Sequence, residues 1–164
     1  RQWRVKSEFT ATELKERRQT RINKASGQNV RTFVAGEWTL EYDLAHSGLT
    51  QEVWQAAVLA LADENIQVGK VTKEDAIGAR EAEFLALAAL ELEAKASHVY
   101  ALFETEGASK AIGAQYLSEL LEHAVESGGM GVDELRSKLP SYVLDAIAYV
   151  TAPIPVTAAP EEQG

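Results

Sequence analysis

Asn29 to Ala45 read N-V-R-T-F-V-A-G-E-W-T-L-E-Y-D-L-A, and the first seven of these residues decide the fold. Residues 29–35 are rich in β-branched and aromatic side chains, which fit a pleated, half-buried surface and predict a strand. Gly36 breaks it. Thr39 is then placed to cap a short helix through Leu40, Tyr42, Leu44 and Ala45, stopped at Ser47 and Gly48. No other segment reads as securely as a strand. A lone strand cannot hold a sheet, because its backbone donors and acceptors need partners. Two architectures follow: an all-helical fold with one extended segment, or a strand that joins a sheet whose other strands lie outside this chain.

Working outward, residues 1–9 alternate loosely around Trp3, Val5 and Phe9. Thr10 and Glu13 have capping-box spacing, in which each side chain satisfies a backbone donor near the other. A helix over 11–25 follows, ended by Gly27. Downstream, Thr50 is expected to cap a helix over 51–63 that carries Val53, Trp54, Ala57, Val58 and Leu61 on one face. Thr72 and Asp75 mark the start of another, running to about 94. Its middle, F-L-A-L-A-A-L-E-L, is apolar on most sides, as in a buried helix. A short helix around 97–103 is expected as its kinked continuation. Ser109 caps a helix over 110–126, closed by Gly128 and Gly129. A short turn over 132–138 leads to Pro140, which suits a first helical position, and a final amphipathic helix carries Tyr142, Val143, Ala146, Ile147 and Val150. Three prolines and small residues after Thr151 predict a mobile tail over 151–164. The helices should pack around Trp54, Phe84, Leu87, Leu117 and Val143.

Charge is divided unevenly. Residues 1–36 carry nine Lys/Arg and three Glu, a balance of +6, whereas residues 37–164 carry seven Lys/Arg and 22 Asp/Glu, a balance of −15. A basic first segment on an acidic body can touch a polyanion at one end only. Arg17, Arg18, Arg21 and Lys24 form either a solvated helix face or a phosphate-contacting one. The absence of cysteine excludes disulfides and thiolate metal sites. No apolar run approaches the roughly 18 residues of a membrane helix, and R-Q-W-R-V-K at the start lacks the apolar core of a signal peptide. No membrane association and a cytoplasmic location are expected by default. A start at Arg1 suggests a fragment, a processed product or a trimmed chain.

Residues 30–45, V-R-T-F-V-A-G-E-W-T-L-E-Y-D-L-A, resemble the late Toprim segment of ATP-dependent nucleases of the overcoming-lysogenization-defect (OLD) family, where a strand leads into a T-L-E-x-D-L turn. G-A-S-K-A-I-G-A-Q-Y-L-S-E-L-L-E (107–122) is similar to that family's closing helix, and L-P-S-Y-V-L-D-A-I-A-Y-V (139–150) to a C-terminal helix of some members. The resemblance implies an α/β fold, predominantly helical here: residues 1–50 as the C-terminal portion of a Toprim-type parallel sheet, with its strand at about 29–35, and residues 51–150 as a helical bundle. It implies a DNA endonuclease using two Mg²⁺ or Mn²⁺ ions, coupled to an ATPase that binds ATP in an N-terminal domain. The implied partners are DNA, the chain's own N-terminal ATPase and Toprim half, and a second copy in a homodimer. The family's first glutamate motif, its Asp-x-Asp pair and its phosphate-binding loop are not found in this sequence. The chain alone is therefore expected to be inactive.

Phosphodiester cleavage needs a water made more acidic and a stabilised leaving oxygen, which two hard cations with oxygen ligands supply. The resemblance makes Glu41 a metal ligand and catalytic residue, with Thr39 and Glu37 as further candidate ligands. It brings Lys110 to the scissile phosphate as the second catalytic residue. Each has a plainer reading: Thr39 as a helix cap, Glu41 as a carboxylate favoured in a first helical turn, Lys110 as a solvated lysine. Asp43, two residues past Glu41, faces away from it on a helix and is read as structural. His46, His98 and His123 lack the spacing of a zinc helix. The competing reading of function is a helical protein-interaction module with no chemistry of its own.

Overall fold

The computed structural model describes residues 6–25 and 31–152. A 3₁₀ turn, Lys6–Glu8, precedes α1 (Ala11–Ala25), α2 (Leu40–Leu44), a π-helical turn over Ala45–Leu49, α3 (Thr50–Gln67), α4 (Lys73–Gly78), α5 (Glu81–Leu87), α6 (Leu92–Glu104), α7 (Lys110–Glu126), α8 (Val132–Ser137) and α9 (Ser141–Thr151). There is no strand and no sheet among the described residues, so the expected α/β fold with a Toprim-type parallel sheet is corrected to an all-helical one. Of the expected strand, Asn29 and Val30 lie outside the described residues, and 31–35 have no regular structure. The physical reason is the missing ladder. Side chains hold this segment in place of backbone pairing: the Phe33 ring sits 5.8 Å from that of Tyr149 on α9, and Arg31 lies 5.2 and 5.1 Å from the two ring centres. Its β-branched and aromatic composition reported a half-buried surface, not a strand.

The fold is organised around α3. Val53, Trp54, Ala56, Ala57, Val58, Leu59 and Ala60 are all buried, so the helix is enclosed around most of its girth. That is the pattern of a central helix. It was expected instead for the long helix over about 73–94. That helix is broken into α4 and α5, and α5 buries only Leu87 and leaves Leu85 exposed. Two core clusters flank α3. The larger joins Tyr42, Leu44 and Leu49 to Val53, Trp54 and Val58 of α3 and to Ala96, Val99, Leu102 and Phe103 of α6. The smaller joins Ala56 and Leu59 to Ala76 of α4 and Tyr116 of α7. Of the expected core, Trp54 and Leu87 are buried, and Phe84 and Leu117 pack against the larger cluster. Val143 is only half-buried.

Close packing of α7 depends on Gly113. A Cβ there would meet Phe103 Cε1 at 2.8 Å, nearer than side-chain carbons normally approach. Gly48 sits at φ 123°, open to glycine but not readily to other residues. It lets the chain turn between α2 and α3 without ending the helical path. Ser47 Oγ pins the turn by donating to the Lys138 carbonyl at 2.6 Å. Thr50 does not cap α3. It donates to the Ala45 carbonyl at 2.8 Å, because the π-helical turn runs straight into the helix and leaves no free N-terminus there. The expected caps at Thr10, Thr39, Thr72 and Ser109 are present: each hydroxyl accepts from the backbone N–H three residues on. Pro140 stands just ahead of α9, with an extended ψ of 144°.

Candidate functional site at the start of α2

Three of the four sequence-predicted site residues lie in eight positions, 36–43, and the fourth arrives from α7. Thr39 caps α2: its hydroxyl accepts from Tyr42 N–H at 3.4 Å. Glu41, in the first turn of α2, meets Lys110 from the first turn of α7, with Nζ to Oε2 at 3.0 Å. The two catalytic candidates are therefore brought together as an ion pair, across 69 residues of sequence. Lys110 also lies 5.0 Å from the centre of the Tyr100 ring, so the aromatic face and the carboxylate share its charge. Glu37 is held separately, by Lys6 at 3.2 Å. The two candidate carboxylates thus answer to different lysines, and the candidate hydroxyl is taken up by a backbone donor.

Asp43 organises the loop that carries them. It is 4% exposed, and its carboxylate accepts from three successive backbone N–H groups: Gly36 at 2.7 Å and Glu37 at 3.1 Å on Oδ2, and Trp38 at 2.9 Å on Oδ1. Three unpaired donors in a loop beside the core would be costly. One buried carboxylate satisfies them all and fixes the approach to α2.

Lys6 was not singled out by the sequence, yet it joins three elements. Its ammonium contacts Glu37 Oε2, Tyr42 Oη and Glu93 Oε1, each at 3.2 Å, and lies 4.7 Å from the Tyr42 ring centre. Burial works against its charge, but the Tyr42, Glu37 and Glu93 contacts outweigh it and hold its pKa above the ordinary lysine value. Nothing local in the sequence could reveal this, since its partners lie 31, 36 and 87 residues away. Tyr142 of α9 also enters the site. Its hydroxyl is buried beside the Asp43 carboxylate. Burial, followed by the Asp43 and Glu41 carboxylates, pushes its pKa well above the ordinary phenol value. Trp38 Nε1 is buried too, facing the Tyr100 hydroxyl.

Chemically, this is a set of carboxylates already neutralised by lysines and backbone dipoles. Among the described residues no three His, Cys, Asp or Glu side chains converge as a metal ion requires. No helix among them is long and apolar enough to cross a membrane. No protein-family model, curated protein or solved structure matches the chain.

Proposed function

We propose that this chain is a helical interaction module without chemistry of its own, and that it pairs with a second copy through α9. The observation that carries this reading is the face α9 leaves bare. The helix has eleven residues, one of them charged and none fully buried, and Ile147, Tyr149 and Val150 are 45%, 49% and 75% exposed. Val143, Ile147 and Val150 fall at i, i+4 and i+7, along one stripe. The partner follows from charge. The body from residue 37 onward carries −15, so most of its faces repel their own copies. A nearly uncharged stripe can meet itself without bringing like charges together.

The nuclease reading implied by the resemblance has less support. It rested on a strand that ends in the metal site, and that strand is replaced by an irregular segment. Glu41 and Lys110 satisfy each other.

Sedimentation velocity tests the proposal. The protein should pass from monomer to dimer between micromolar and submillimolar concentration. The Ile147→Glu/Val150→Glu variant should stay monomeric with an unchanged far-ultraviolet dichroism spectrum. A wild-type chain that remains monomeric throughout, or a variant that still dimerises, contradicts it.

A further inference from the structure

A second surface, independent of α9, lies between α5 and α6. A helix apolar on most of its sides belongs in a core, yet α5 buries only Leu87. Leu85 is 63% exposed, and Leu92, at the start of α6, is 45% exposed. An open groove of about 350 Å³ runs between the two helices. Leu87 and Leu90 line it from the side of α5, Leu102 from α6 and Trp54 from α3. Ala86 and Ala101 also line it, and their short side chains leave it unfilled. Leu85 adjoins Ala86 in sequence and Leu92 follows closely on Leu90, so the apolar surface extends past the groove itself.

Backbone chemistry and charge decide what can occupy it. Among the described residues there is no strand edge with which an extended peptide could pair. A groove between two helices instead accepts the apolar side of a third. The polar lining is Glu83, His98 and Glu106. Arg80 pairs with both glutamates, and one cation between two carboxylates leaves a negative balance. Residues 80–106 as a whole carry six Glu against Arg80 and Lys95, a balance of −4. The same face of a second copy would bring like charges together, and an acidic partner would be repelled. Lysine and arginine beside an apolar stripe meet this surface with opposite sign.

We infer that the α5–α6 groove docks an amphipathic helix of a partner protein, its apolar side on Leu85, Leu87 and Leu90 and its Lys/Arg side chains towards the surrounding glutamates. The apolar contact supplies affinity. The charges speed encounter and reject acidic partners.

The test is fluorescence anisotropy of a labelled helical peptide of leucine and lysine, with leucines at i, i+3, i+4 and i+7, titrated with the full chain. Saturable binding is expected, weakened by salt. The Leu85→Arg/Ala86→Arg variant should bind at least ~10-fold more weakly, as when anchors at the centre of an interface are lost. Both side chains are exposed, so its dichroism spectrum and melting temperature should match the wild type. Glu122→Gln/Glu126→Gln, at exposed positions of α7 outside the groove, raises the net charge by the same amount and should bind like the wild type. A peptide with glutamate for lysine, and one of the original composition with its leucines scattered around the helix, should each bind at least ~10-fold more weakly than the first. Absence of binding overturns the inference, as does a groove variant that binds like the wild type or an α7 variant that binds as weakly as the groove variant. Either control peptide binding as tightly as the first also overturns it, because the groove would lack the selectivity assigned to it. Loss of self-association in sedimentation by the groove variant overturns it too, since the occupant would then be a second copy.

Discussion

At the scale of single residues, the decisive group is Asp43. Its carboxylate closes three backbone hydrogen bonds in positions 36–38. Asp43→Ala should cost about 2–4 kcal/mol, because it removes a buried acceptor and strands its donors together. Chemical denaturation checks this. A loss under 1 kcal/mol, on the scale of an ordinary surface substitution, would mean that water replaces the carboxylate and that the loop is held by other contacts. The Glu41–Lys110 pair stands differently. The lysine side chain is 46% exposed and the glutamate 20%, so solvent screens the attraction and its stabilisation is at most about 1 kcal/mol. Its value is positional, tying the first turn of α7 to that of α2. The structural reading of Asp43 was open to the sequence because helical spacing turns it away from Glu41. The meeting of Glu41 with Lys110 was not, because no local pattern relates residues 69 positions apart.

At the scale of elements, α3 and α7 are joined through Tyr116, whose hydroxyl donates to Asp63 Oδ1 at 2.7 Å. Burial first, then the bond to Asp63, pushes the Tyr116 phenol up to about 12. In the unfolded chain it would lose its proton near 10. Between those values the folded state binds the extra proton. The stabilisation is therefore complete below about pH 10 and is lost as pH rises towards 12, by an amount of order 2 kcal/mol. Denaturant midpoints measured across that range should fall in the wild type and fall less steeply in Tyr116→Phe. Identical slopes in the two proteins would show that other groups carry the alkaline loss. Helix ends were legible in the sequence wherever a side chain makes them, as at Thr10, Thr39, Thr72 and Ser109. They were misread wherever tertiary packing makes them. Thr50 looks like a cap, but the kink at Gly48 keeps the helical path continuous. The run around Leu85–Leu90 looks like a buried helix, but it breaks into short turns over the core. Residues 31–35 have the composition of a strand, and only the absence of a partner strand denies them that form.

At the scale of the whole molecule, the described residues form a helical body built around α3, with the basic helix α1 towards one end of the chain and the exposed apolar stripe of α9 towards the other. The proposed interaction module needs no divalent cation. Millimolar Mn²⁺ or Mg²⁺ should leave its melting temperature unchanged, whereas a specific site occupied at a hundred times its dissociation constant would add about 2.7 kcal/mol. A clear rise with Mn²⁺ that Glu41→Gln abolishes would restore the metal-dependent reading. The most direct test of the central claim is a dilution series followed by two-dimensional amide NMR. Concentration-dependent shifts are expected at Val143, Ile147, Tyr149, Val150 and the adjoining Phe33, with the buried residues of α3 unmoved. Shifts that avoid α9, or a spectrum that does not change with concentration, would contradict it.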